Sequence, residues 1–187
     1  MPPRWRSVED DPIAKLRRVE EEELPELLLR PTRWRGQELR FRNVEGDIHV
    51  VRLEAPCSVG KIRLHEFRRL AEPRGPIMHH HKWIGAFHVL RGSYELGLGW
   101  ETSLRGHPGP PVAATVVLRP GTYYAMEHTD VWHHAFVLED TLTTCLVLRD
   151  PRGIFREEPP MRHVVLPMSA EEAERMLDLY KPHFGVG

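Results

Sequence analysis

From about residue 41 onward the chain is a series of short alternating runs separated by Pro and Gly, and this feature limits the fold most. Asp47–Leu53 is rich in β-branched residues, with Ile48, Val50 and Arg52 out of phase with His49, Val51 and Leu53. Lys61–Phe67 sets Ile62, Leu64 and Glu66 on one face and Arg63, His65 and Phe67 on the other, and either set could line an inner wall. Pro73, Gly75 and Pro76 then interrupt the chain. Further strands are expected at about 77–89, 93–100, 112–118, 122–125, 131–138 and 141–149, with 106–111 as a loop. Strands this short and this closely spaced imply an all-β sandwich or barrel.

The two ends read differently. Residues 1–40 form an expected N-terminal arm, partly helical, in which Glu20–Glu23 precede Leu24, Leu27, Leu28 and Leu29 while Pro12, Pro25 and Pro31 divide the segment. The barrel is expected over 41–168. Over 169–187, Ser169 and Glu172 read as a capping box, and Met176, Leu177 and Tyr180 at helical spacing complete a C-terminal helix. A length of 187 residues suits one domain with a sizeable core.

Charge excludes several partners. Lys plus Arg number 26 against 27 Asp plus Glu, a balance that argues against nucleic acid or an anionic membrane surface as partner. Apolar runs fall short of a spanning helix, and Met1–Arg6 lacks the apolar core of a signal peptide, so a cytoplasmic location is expected. Cys57 and Cys145 are too few for a disulfide framework and read as small core residues.

Histidine points to chemistry. There are 12, and seven lie in two windows: His79, His80, His81 and His88 in one, His128, His133 and His134 in the other. Neutral imidazole is the commonest metal ligand near neutral pH. On a strand His79 and His81 share a face, so both could hold one ion, with a third ligand supplied by another strand. His133 suits that place. Glu127 or Asp130 could supply a carboxylate, and His134 is a further alternative ligand, although it takes the opposite face of a regular strand. His88 also faces away, and His49, His65, His107, His163 and His183 read as surface residues or as residues behind the ligands.

These windows resemble the motifs of the cupin superfamily. Its first motif, G-x5-H-x-H-x3–4-E-x6-G, is similar to the stretch carrying His79, His81 and Gly92, with Val89-Leu90-Arg91-Gly92 matching a frequent ending. The second motif is matched more loosely by Gly121 and His133, with Glu127 and Thr129 near the places of its internal Pro and Gly. The motif's glutamate falls on Gly85. The resemblance therefore implies a double-stranded β-helix whose metal is held by His79, His81 and His133 without a carboxylate, leaving coordination positions open for O₂ and substrate.

Three-histidine cupins include thiol dioxygenases and β-diketone-cleaving dioxygenases, which implies an Fe(II) dioxygenase acting on a small organic molecule, and a homodimer. The tyrosine that thiol dioxygenases carry two residues after the third histidine is Ala135 here. Zn, Mn or Ni in the same site would instead serve an isomerase, lyase or hydrolase, and a non-catalytic binding barrel is a further alternative. The expected substrate pocket comprises Arg63, Trp83, Phe87, Tyr94 and Tyr124, with an inward Arg63 able to hold a substrate carboxylate.

Overall fold

The computed structural model describes residues 11–41, 48–69, 79–80, 83–100, 112–128, 131–148 and 163–187. Nine strands are described: β1 (Arg35–Phe41), β2 (Ile48–Cys57), β3 (Gly60–Phe67), β4 (His79–His80), β5 (Gly85–Trp100), β6 (Ala114–Leu118), β7 (Tyr123–Met126), β8 (Val131–Leu148) and β9 (His163–Pro167). Three helices accompany them: α1 (Pro12–Glu22), α2 (Leu24–Leu28) and α3 (Ala170–Tyr180). All described pairings are antiparallel.

Two long strands build both walls. The C-terminal part of β8 lies between β3 and the start of β5, and β7 follows on the far side of β5. The N-terminal part of β8 lies between β4 and the end of β5, with β6 beyond. One sheet is thus β9-β1-β2-β3-β8-β5-β7 and the other β4-β8-β5-β6, with β5 and β8 passing from one to the other. Eight-stranded double sheets connected this way are jelly rolls, whose facing sheets enclose the core at about 10 Å separation.

The bend that lets β5 serve both sheets comes from its register. Pairing with β8 shifts between Val89 and Tyr94, and Gly92 there has φ +74. A Cβ at Gly92 would lie 2.2 Å from the carbonyl oxygen of Asp140, so only glycine suits this bulge. Two strands were expected on either side of Gly92, and the structure joins them as one. The same holds across Glu139–Asp140 in β8. β1 and β9 were not expected as strands, and the arm boundary anticipated at residue 40 falls inside β1.

The helices cover one outer face. Asp11 caps α1 by accepting a hydrogen bond from the Ile13 amide at 3.0 Å, with Pro12 in the first turn. Leu16, Val19, Leu24, Leu27, Leu28, Met176, Leu177 and Tyr180 form one apolar layer with Val51, Leu53, Ile62, Leu64, Ala86, Leu142 and Leu146 of the larger sheet. Ser169 caps α3 as anticipated, accepting from the Glu172 amide at 3.1 Å. No helix among the described residues is long and apolar enough to cross a membrane.

Candidate metal and substrate site

Because the apolar residues of β2 and β3 face the helices, their other face turns into the barrel. Val50, Arg52 and Glu54 of β2 stand opposite Phe67, His65 and Arg63 of β3 on this inner side. The set Arg63, His65 and Phe67 is therefore the one that lines the wall. On β8, Thr143 and Cys145 join it, paired with His65 and Arg63.

The five residues expected to form the pocket make one unbroken contact chain. The Arg63 guanidinium carbon lies 5.3 Å from the Trp83 ring centroid. Trp83 meets Phe87 at 5.9 Å, and Phe87 stacks on Tyr124 at 4.7 Å with 3° between ring planes. The hydroxyls of Tyr124 and Tyr94 share a hydrogen bond of 2.6 Å, linking the two sheets across the interior. Burial raises the pKa of both phenols, so both stay protonated through the neutral range. The aromatic path continues through Phe67, 5.7 Å from Tyr94, to His65 at 5.6 Å.

Charge is concentrated near β2 and β3. Arg63 donates through Nε to Glu54 Oε2 at 2.7 Å, and Arg52 donates to Gln37. The carboxyl of Glu54 is lowered overall: burial raises it, but the hydrogen bond from Lys61 and the charge and hydrogen bond of Arg63 outweigh that. His65 is buried, 3.4 Å from the Thr143 hydroxyl. Burial first, then the positive charges of Arg52 and Arg63, push its pKa well below 6.5, so the ring is neutral. Of the two places open to His65, the surface and the inner wall, the structure puts it in the wall. Arg52 stands beside it.

The two histidine windows are brought together by the backbone. In the pairing of β4 with β8, His79 stands directly across from His133, and His80 across from Trp132. Residues opposite one another in an antiparallel pair share a face, with Cβ atoms about 5 Å apart. His133 is buried and also stands across from Leu98, on the face that carries Tyr94, Leu96 and Ala135 into the interior. His81 lies outside the described residues. Among the described residues no group of three His, Cys, Asp or Glu side chains is close enough to hold an ion.

Of the alternative ligands, Asp130 lies outside the described residues. His134 takes the opposite face, where its ring covers Gly97: a Cβ there would lie 2.0 Å from the ring. Glu127 is half-buried just past Met126, the residue that pairs with Gly85. His88 also faces outward, with Nδ1 3.0 Å from Glu20 of α1.

Gly85 explains the missing carboxylate sterically. A Cβ at this position would lie 2.3 Å from the Leu146 carbonyl oxygen and 2.7 Å from the Trp83 ring. Any side chain at this position would meet the Trp83 ring and the β8 backbone at its first carbon.

The sequence matches no protein-family model and no curated protein. Among solved structures it is similar to KdgF from Halomonas sp., with TM-score 0.41 and 18% identity over 60% of this chain and 96% of that one. It is also similar to YcfD, a ribosomal oxygenase from Escherichia coli, with TM-score 0.49 and 13% identity over 87% of this chain and 59% of that one. Fe(II) HppE gives TM-score 0.43 and 12% identity over 60% and 56%. The path of β5 and β8 through two facing antiparallel sheets, with the histidine strands β4 and β8 side by side, is a jelly-roll architecture, the class to which cupins also belong.

Proposed function

We propose that this chain is a cupin and a metal-dependent oxidoreductase, an Fe(II) dioxygenase of a small organic molecule, with His79, His81 and His133 as ligands. The observation that carries the reading is the backbone register that sets His79 across from the buried His133. Imidazoles on adjacent strands are a donor set suited to a divalent first-row ion, and the crowding at Gly85 fits a shell with no carboxylate from that position. Bound there, iron supplies the means to bring O₂ and substrate into one reaction.

The remaining work belongs to the chain. Trp83, Phe87 and Tyr124 offer flat apolar surfaces to a planar substrate, and their burial excludes water from it. Tyr94 and Tyr124 stay protonated and hold each other in place, so a hydroxyl can be offered to substrate as a donor. Arg63 is nearly buried, and Glu54 takes its Nε only. The two terminal nitrogens of a guanidinium match a carboxylate with two parallel hydrogen bonds. The substrate class we assign is accordingly a small carboxylic acid with a flat apolar body.

The test is metal analysis of tag-free protein beside His81→Ala and His133→Ala, followed by oxygen uptake on a panel of aromatic acids, diketones and thiols. Expected are iron near one equivalent in the parent, its loss in both variants, and oxygen uptake with a carboxylate from the panel. Full metal content in either variant sinks the ligand assignment, and turnover without O₂ when loaded with Zn or Mn sinks the dioxygenase.

A further inference from the structure

Glu20 is a carboxylate only 4% exposed, on the helix face that meets the sheet. Its Oε1 accepts from the Thr144 hydroxyl and lies 3.0 Å from His88 Nδ1, and its Oε2 accepts from the Tyr123 hydroxyl at 2.8 Å. The His88 and Tyr123 rings stack at 3.8 Å, and the Arg17 guanidinium covers the other side of Tyr123 at 4.5 Å. One carboxylate thus ties together β5, β7 and β8, three neighbouring strands of the larger sheet.

The residues that follow in the sequence make this tie informative. His88, Tyr123 and Thr144 point outward to Glu20. Their neighbours Phe87, Tyr124 and Cys145 point inward and pack together with Trp83 and Met126. Adjacent residues of a strand point to opposite faces, so the carboxylate sits directly behind the inner wall. A buried carboxylate with donors from three strands is satisfied only while those strands keep their spacing.

We infer that Glu20 is a positioning residue through which the N-terminal arm sets the geometry of the Phe87–Tyr124–Cys145 wall. It touches no substrate. Its effect runs through backbone spacing, because Phe87 and Tyr124 stack only while β5 and β7 are held at their present separation. The inference rests on the proposed function only in treating this wall as part of the substrate pocket.

Cys145 reports on the wall. It is fully buried, and burial pushes its thiol pKa up to about 12, so a thiol reagent reaches it only when the wall opens. The experiment uses the full chain with Cys57→Ser, so that Cys145 is the single thiol. Labelling rates with a small maleimide are compared for Glu20→Ala, Glu20→Gln, Tyr123→Phe and the control Leu16→Ala. Leu16 lies on the same helix and face but contributes only apolar packing. Urea is adjusted so that all variants have equal global stability.

Expected is labelling about tenfold faster in Glu20→Ala than in Leu16→Ala, a smaller rise in Tyr123→Phe, and partial rescue in Glu20→Gln, which keeps one acceptor oxygen. If Glu20→Ala does not fold, the ordering of the two milder variants against Leu16→Ala decides. Equal rates at equal stability overturn the inference and leave the metal assignment untouched. Loss of the metal assignment, in turn, leaves the labelling result standing.

Discussion

The neutral His65 predicts how the protein responds to acid. In the unfolded chain this imidazole takes up a proton near pH 6.5. In the folded barrel, burial and the charges of Arg52 and Arg63 hold its pKa well below that value. The unfolded state therefore binds more protons as the pH falls below about 6.5, and stability falls with it. A histidine that stays neutral in the fold loses the protein about 2 kcal/mol between about pH 7 and pH 5, by integration of that proton difference. For a chain of this length that is a fall of about 4–8 °C in Tm. The assay is a series of thermal melts across this range for the parent and for His65→Gln, which keeps a polar group near Thr143 but cannot titrate. The slopes are compared rather than the absolute values, since His134 and His183 also have lowered pKa values and are present in both proteins. The variant is expected to have the shallower slope. Parallel Tm profiles would refute the burial argument.

Two glycines separate strain from crowding. Gly121 has φ +83 with nothing near a new Cβ, so Gly121→Ala is expected to cost about 1 kcal/mol from the left-handed backbone alone. Gly92→Ala adds a 2.2 Å clash with the Asp140 carbonyl and is expected to cost about 3 kcal/mol, both read by urea denaturation. Arg63→Met keeps an apolar stem against Trp83 but removes the charge. Affinity for an aromatic carboxylate should fall about tenfold or more, and affinity for the matching amide should change little; a parallel loss for both would count against a carboxylate partner.

How much of the fold was legible depended on what covered each face. Alternation in Lys61–Phe67 locates β3, but periodicity does not choose between its faces, because His65 is buried on one and Ile62, Leu64 and Glu66 on the other. The apolar set, Ile62 and Leu64, packs under the helices, while the set with Arg63 and His65 turns into the barrel. A rule that sends apolar residues toward the barrel interior points the wrong way here. β1 carries no strand signal in the sequence because Arg35, Gln37, Glu38 and Arg40 leave it without an apolar face. The single strand β5 has the sequence pattern of two because Gly92, which looks like a turn, is a bulge within a strand continuous in the backbone.

The bulge also limits how far alternation can be carried along the chain. Before it, the inward residues of β5 are odd-numbered, Phe87 and Val89; after it they are even-numbered, Tyr94, Leu96 and Leu98. Along β8 the inward residues stay odd-numbered from His133 through Val137 to Cys145, which is why the histidine window and the wall behind Phe87 face one interior. Glu20 was hidden for a different reason. It opens a run of four glutamates, and such a run reads as a solvated surface. Yet Leu16, Val19 and Glu20 stand at the i, i+3, i+4 spacing of one helix face, so the carboxylate lies on the apolar stripe itself. A charge on that stripe must find partners when the helix docks, and the three strands behind the candidate pocket supply them.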